Sequence, residues 1–528
     1  MNQAKRLMNR ANQRQTVGAA ALLMSAAYLA SQLLGLLRNS LLASHFGKGP
    51  LLDAYYAAFR LPELLFTLLV SGAFAVAFIP VLSGYLEKDQ REQAWRVTSS
   101  LLNLLVLATL AGGALIIIFA GPLTTLVTPG FDPERHRLTV ELTRIMAITP
   151  MLFAISSVLG SVQQAFSRFL IFSLAGVLYN LGIVVGIVWL SPAYSVYGAA
   201  YGVIIGVVLQ ALLQWVGLYG LGFKYRLVLN LKLKGVRQTL ILMLPRSIDQ
   251  GIDQVNYVVE TIIGSTLAQG SITAFALANS LKNVPLVLIA SSITTAVFPR
   301  LAARAAKGAR TELIATYVTS ARMILFLSIP AAIFAFIDRG YIVRLLYRFG
   351  DADTANTLGW FAGTIVFTSL FFLVSRIYYA MQDTRTPLYS SLGSIPLNIL
   401  LSFILSRIYG VSGLAMSASI VAFLETLLLL VILRRREGNF GEKEILRGAW
   451  RMAVAAAVMS PLLYVATTQL LPLYASDRGF MTLAPKFAVI VAIGLAAYAV
   501  PCYLLGLKEA RQAATRVKDI MVRSLNLT

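Results

Sequence analysis

Four ionisable side chains in one largely apolar stretch mark where this chain could do chemistry. Arg246, Asp249, Asp253 and Glu260 are spaced three, four and seven residues apart, which puts them on one stripe of a helix. A charge at the centre of a bilayer costs on the order of 3 kcal/mol on insertion scales, so such groups face a partner, a wet cavity or a ligand. Pro245, one residue before the stripe, would kink its helix and free backbone carbonyls nearby. Arg60 and Glu63 lie one turn apart, Arg38 sits about two-thirds along an apolar run, and Lys282 is close to Pro285. Arg38, Arg60, Arg246 and Lys282 are therefore candidates for a cationic site that holds an anionic head group. Asp249, Asp253, Glu260 and Glu63 are candidates for a polar cavity that binds a coupling proton or sodium ion, with Pro245 and Pro285 as hinges. A blander arrangement is also open, in which Arg246 pairs with Asp249 and Arg60 with Glu63 to neutralise buried charge, and Arg38 snorkels to an interface. Two histidines, His45 and His136, and one cysteine, Cys502, offer neither a histidine-rich metal site nor an internal disulfide. There is no Gly-rich phosphate loop ending in Lys-Ser or Lys-Thr. Catalytic residues, a metal and a cofactor are not expected.

Such residues need a scaffold that places charge among apolar groups. Of 528 residues, 58% are hydrophobic and 13% charged, against about 45–50% and about 25% in soluble domains. That balance excludes a multidomain soluble enzyme and a disordered scaffold. About fourteen apolar stretches are long enough to cross ~30 Å of hydrocarbon: 17–44, 54–84, 98–127, 138–165, 170–191, 197–222, 238–263, 272–301, 313–337, 357–381, 388–408, 412–433, 449–470 and 486–506. The runs are continuous rather than alternating, which excludes a transmembrane barrel. The first is too long for a signal peptide and lacks a small-residue cleavage site. The expected class is an all-α polytopic membrane protein.

The net charge of +22, from 45 basic and 23 acidic residues, would suggest nucleic acid in a soluble protein. Here the basic residues gather at every second connection, so no nucleic-acid partner is expected. Lys5, Arg6, Arg10 and Arg14 precede the first stretch, and Lys224, Arg226, Lys232, Lys234 and Arg237 follow the sixth. Arg304, Lys307 and Arg310 follow the eighth, and Arg434, Arg435, Arg436, Lys443 and Arg447 follow the twelfth. The positive-inside rule then puts both termini in the cytoplasm. The main exception is Arg339, Arg344 and Arg348. Arg322, Arg376 and Arg407 are expected as interfacial anchors and Cys502 as inert packing. The tail could lie as a basic helix on anionic lipid.

Two parts of the chain resemble one another at an offset of about 215–219 residues. AFIPVL from Ala77 matches AVFPRL from Ala296, so Pro80 corresponds to Pro299. Leu170, Ser173, Leu174 and Asn180 match Leu388, Ser391, Leu392 and Asn398, and Gly198, Ala200 and Gln210 match Gly413, Ala415 and Glu425. This predicts two parallel six-helix repeats plus two extra C-terminal helices, with the halves rocking around a central site. The expected divisions are a basic cytoplasmic N-terminus at 1–16, a six-helix bundle at 17–222, a basic linker at 223–237 and a second bundle at 238–433. A basic loop at 434–448, the last two helices at 449–506 and a basic tail at 507–528 follow.

Longer motifs carry a family resemblance: SQLLGLLR from Ser31 to Arg38, DAYYAAFRLPELL from Asp53, SGAFAVAFIPVLSGYL from Ser71, VVETIIGSTLAQGSITAFALANSLKNVP from Val258 and AMQDTRTPL from Ala380. In these the chain resembles the MurJ/MviN family of lipid II flippases, within the multidrug/oligosaccharidyl-lipid/polysaccharide exporter superfamily, along essentially its whole length. The resemblance implies two six-helix bundles around a cationic cavity, with helices 13 and 14 bordering a hydrophobic groove for a long lipid tail. It also implies movement of an undecaprenyl-pyrophosphate-linked peptidoglycan precursor from inner to outer leaflet of the bacterial cytoplasmic membrane. Implied partners are that lipid, anionic membrane lipids and the cell-wall synthesis machinery. The chain departs from the family pattern where arginines are usual: Gln32 follows Ser31, Phe66 and Thr67 replace an arginine pair, Ser71 replaces an acidic residue, and Asn279-Ser280 replaces Asp-Arg. Gln32 and Ser280 are thereby polar cavity candidates. Another lipid-linked oligosaccharide as substrate, a cation-coupled multidrug antiporter of the same superfamily, a membrane transferase and a scaffold for cell-wall synthesis are the competing readings.

Overall fold

A computed structural model of the chain describes residues 17–348, 350–474, 477, 479–512 and 515. Among the described residues there are helices and no strand. The long helices are α1 (Val17–Phe46), α2 (Pro50–Glu87), α3 (Arg91–Ile118), α4 (Pro133–Ala165), α5 (Phe169–Tyr194), α6 (Val196–Gly217) and α7 (Lys234–Ser265). They continue with α8 (Ser271–Ala306), α9 (Arg310–Ile337), α10 (Ala352–Ala380), α11 (Arg385–Tyr409), α12 (Val411–Glu437), α13 (Glu442–Leu470) and α14 (Phe480–Leu504). Among the described residues, twelve of them are long and apolar enough to cross a membrane, so the chain is a multi-span membrane protein. α1 and α7 occupy the places expected for the first and seventh crossings. The expected third span, 98–127, is two elements: α3 ends at Ile118 and a separate short helix covers Ala120–Val127. Phe119 between them takes φ −99° and ψ 20°, outside helical geometry.

Two compact units meet in the sequence at Thr273 and Ala274. The first contains α7 as well as α1–α6. One of its cores gathers Phe74, Phe78, Trp95, Leu101 and Val158; another gathers Leu42, Tyr55, Met146, Ile183 and Val203. α2 is broken twice, at Phe59 and at Val70, where φ is −132° and ψ −52°. α5 and α6 pack on glycines. A Cβ at Gly182 would lie 2.3 Å from Gly206 Cα, one at Gly206 2.3 Å from the Tyr179 carbonyl oxygen, and one at Gly198 2.3 Å from Ser191 N. Small residues let membrane helices approach this closely.

The duplication read from the sequence is present in backbone geometry. Asp89 (φ 53°) and Gly308 (φ 65°) end α2 and α8 at an offset of 219. At the same offset, α3 and α9 each have 28 residues, and Asp132 and Asp351 cap the next helices, accepting from the backbone N–H of Arg135 and Thr354. Beyond α10 the offset is 215: Ser167 (φ 58°) corresponds to Gln382 (φ 63°), and Ser195 (φ 49°) to Gly410 (φ 58°). The four missing residues lie in α10, 29 residues long against 33 for α4. Four residues are about one helical turn, so the deletion keeps the packed faces in register.

The second unit has one core around Tyr317, Ile324, Tyr378 and Leu429, and another around Met452, Leu463, Ile490, Tyr498 and Cys502. The tail begins as part of that second core. Leu507 is fully buried, and Glu509 accepts from Arg322 Nε at 2.6 Å and Nη2 at 2.9 Å. Arg322 is therefore a forked ion-pair partner rather than an interfacial anchor. Arg376 and Arg407 instead rest over the rings of Phe298 and Phe403. Glu509→Ala strands the Arg322 guanidinium. Breaking a fully buried pair costs about 3–5 kcal/mol, and since 18% of the Arg322 side chain is exposed the expected loss is about 2 kcal/mol, read as a lower melting temperature of the purified protein. Residues 1–16 and 516–528, which carry the expected basic terminus and most of the basic tail, lie outside the described residues.

Candidate functional site

In the first unit, two of the expected arginines converge. Arg38, on α1, is held by neutral amides: its Nε and Nη2 donate to Asn39 Oδ1 at 3.1 Å, and its Nη1 donates to Asn180 Oδ1 at 3.1 Å. Asn180 is fixed in turn, donating to the Ser31 and Gly176 carbonyls and to Ser31 Oγ. Among the described residues no carboxylate lies within ion-pair distance of Arg38, and its hydrogen-bond partners are neutral amides.

Arg60 opens the middle piece of α2. Its Nε donates to Thr261 Oγ1 on α7 at 2.8 Å, its guanidinium lies over the Tyr257 ring, and its Nη1 is 3.6 Å from Glu63 Oε2. The Arg60–Glu63 pair anticipated from spacing thus exists, but loosely. Glu63 is 46% exposed and Arg60 13%, and a partly wet pair at that distance is worth little. Tyr56 lies near both guanidiniums and its hydroxyl is buried without a hydrogen-bond partner among the described residues, and Tyr55 and Tyr179 lie near Arg38. Two forked cations near these tyrosines suit an oxyanion ligand, since guanidinium donates two parallel hydrogen bonds to phosphate oxygens.

Gln32 is exposed and donates to the Tyr28 hydroxyl. Glu260 is buried on α7. The side chains of Pro245, Arg246, Asp249 and Asp253, on the same helix, lie outside the described residues. In the second unit, Lys282 Nζ sits 4.5 Å from the Phe361 ring centroid, and Ser280 is half-buried on the same helix. Pro285 lies where the first part of α8 gives way to a π-helical segment, Leu286–Ser291.

Several groups escaped the sequence reading. Asp53, the first residue of the DAYY run, is buried and accepts from Gly270 N at 2.6 Å, Thr273 N at 2.8 Å and Thr273 Oγ1 at 2.7 Å, with Arg135 at 4.0 Å. Asp132, donated to by the Arg135 N–H and guanidinium, is held below the usual carboxylate range. Asn180 carried a signal, since it was matched to Asn398 across the repeat. Asn39 and Thr261 carried none. The QDTRTP turn is structural: after Gln382 turns through positive φ, Asp383 accepts from the Arg385 and Thr386 N–H groups, the Thr386 hydroxyl and Arg436 Nη1. Burial would raise that carboxyl, but these donors outweigh it and hold it below the usual range.

Comparison with known proteins gives the same picture. The family model described as lipid II flippase MurJ matches residues 42–484. A probable lipid II flippase MurJ of Bdellovibrio bacteriovorus is 30% identical over 512 residues, covering 94% of this chain and 96% of that protein. A solved structure of lipid II flippase MurJ in an inward closed conformation superposes with a TM-score of 0.76 at 23% identity, covering 92% of this chain and 99% of that one. An inward-facing multidrug resistance MATE transporter of the MOP superfamily gives 0.64 at 16% identity, covering 78% and 96%. With the family's model matched over most of its length, its motifs in order and its fold reproduced, the chain belongs to the lipid II flippase MurJ family.

Proposed function

We propose that this protein moves lipid II, an undecaprenyl-pyrophosphate-linked peptidoglycan precursor, from the inner to the outer leaflet of the bacterial cytoplasmic membrane. A pyrophosphate and sugar head cannot enter hydrocarbon unaided, because unpaired charge there is costly, whereas a prenyl tail need not leave it. Within the family, the observation that carries the substrate class is the Arg38–Tyr56–Arg60 cluster, two guanidiniums that have no tight carboxylate partner among the described residues. The basic connections favour cytoplasmic termini and contact with anionic lipid, and the cell-wall synthesis machinery is the protein partner that this activity would need nearby. Alternating access around the cationic site, with α13 and α14 guiding the tail, is the mechanism that fits.

The test is outer-leaflet exposure of lipid II in bacteria depleted of their own flippase and expressing this chain. Restored exposure supports the reading. Correct insertion without restoration moves the substrate to another lipid-linked glycan, which Gln32 favours, being neutral where the family usually has arginine. Coupling is assigned to the α7 stripe, driven by the membrane potential or by a proton or sodium gradient. Asp253→Asn is expected to alter the response of transport to pH or sodium, measured in vesicles with imposed gradients. Unchanged responses would leave that carboxylate a structural role.

A further inference from the structure

α13 ends in a π-helical segment, Ala466–Leu470, and Thr467 within it meets the turn that follows α9. Asp338 fills that turn and has no exposed surface. Its Oδ1 lies 2.5 Å from Thr467 Oγ1, and its Oδ2 is buried with no hydrogen-bond partner. Thr467 Oγ1 also lies 2.8 Å from the Leu463 carbonyl oxygen.

The surrounding charges are engaged elsewhere. Arg339 donates to the Phe336 carbonyl and to Asn356, and Arg344 donates to the Tyr474 carbonyl. On α14, Lys486 is paired with Asp477 at 2.8 Å. The Tyr341 hydroxyl donates to the Leu471 carbonyl. Asp353 on α10 is exposed, and no cation lies within ion-pair distance of Asp338 among the described residues.

Counting hydrogens decides the state of this group. A threonine hydroxyl has one hydrogen to give. With Asp338 ionised, that hydrogen cannot serve both the carboxylate and the Leu463 carbonyl, and a full charge stays buried without a cation. With Asp338 protonated, its O–H donates to Thr467 Oγ1, and the threonine donates onward to Leu463. The chain of donors is then complete, and the remaining carboxyl oxygen is neutral.

We propose that Asp338 is a proton-binding site, and that its proton fastens the π-helical end of α13 to the turn after α9. The proton comes from bulk water and returns to it, and only an O–H bond forms. Burial pushes the carboxyl up from 3.8 to about 6, against a smaller lowering by the Thr467 hydroxyl. A carboxyl raised on folding contributes stability that is full below about 3.8 and is lost as pH rises through about 6.

The first experiment is infrared spectroscopy of the full-length protein in lipid nanodiscs. The expected result is a protonated-carboxylic-acid carbonyl band at pH 5 that shifts in deuterated water, fades by pH 8 and is missing in Asp338→Asn. Asparagine mimics the protonated acid by donating to Thr467, so the variant's melting temperature is expected to vary less with pH between 5 and 8 than that of the wild type. If Asp338→Asn does not fold, Thr467→Val serves instead: it keeps the acid but removes its acceptor, so the band moves to higher frequency. A band at pH 5 that Asp338→Asn leaves intact and Thr467→Val leaves unmoved, or its absence at pH 5 in the wild type, would overturn the proposal.

Discussion

Replacing Arg38 or Arg60 by alanine lowers outer-leaflet exposure of lipid II by about 10- to 100-fold for each residue, while the protein still inserts and folds. A hydrogen bond to a charged group is worth about 1.5–3 kcal/mol, and each 1.4 kcal/mol is about tenfold. Folding is expected to be spared because the described partners left behind are neutral or exposed. Removing Arg38 leaves two neutral amides, Asn39 and Asn180, the latter retaining its bonds to Ser31 and Gly176. Removing Arg60 leaves Glu63, which is 46% exposed and already wet. Arg38→Lys keeps the charge but loses the fork, so it recovers part of the activity. The check is exposure of lipid II alongside elution profile and melting temperature for each variant. Normal exposure in both alanine variants would remove the case for a cationic head-group site.

Gly206→Val abolishes recovery of folded protein, whereas Gly393→Ala does not. At Gly206 an added Cβ meets the Tyr179 carbonyl oxygen at 2.3 Å, with Tyr179 Cα and C close behind. These are backbone atoms in the middle of a helix, so no rotamer change relieves the clash and α5 and α6 must separate. Overpacking by a methylene usually costs about 1–3 kcal/mol, and a branched side chain driven into a backbone should exceed that range. At Gly393, also inside a helix, nothing lies within 4 Å, and alanine there improves helix propensity by about 1 kcal/mol. Detergent-extracted yield and monodispersity of the two variants measure the difference. Equal yields would mean that the α5–α6 contact is not what holds this pair.

Much of the fold was legible because apolar length is a one-dimensional property. Spans expected at 272–301, 313–337 and 388–408 fall inside helices Ser271–Ala306, Arg310–Ile337 and Arg385–Tyr409. The duplication was legible only where side-chain identity survived. Gln163 and Tyr378 stand at the 215 offset and each donates to a backbone carbonyl, of Gln214 and of Leu429, which also stand at that offset. An amide and a phenol do the same work there, and residue types alone conceal it. Site partners were hidden for another reason. Arg38 and Asn180 are 142 residues apart, and Arg60 and Thr261 are 201 apart, so only the folded chain shows that the i,i+3 neighbour Glu63 is the weaker partner of Arg60. The buried Asp338 was overlooked because it flanks a span rather than interrupting one.

The bonds of Asp53 impose an order on synthesis. Its donors, Gly270 and Thr273, follow it by 217 and 220 residues. At ribosomal speeds of about 5–20 residues per second they emerge roughly 10–40 s after the carboxylate. Arg135, 4.0 Å from it in the folded chain, arrives much sooner. A truncated chain ending before Gly270 would leave Asp53 without its Gly270 and Thr273 donors, so nascent chains stalled in the segment after α7 should be preferred targets of membrane proteolysis.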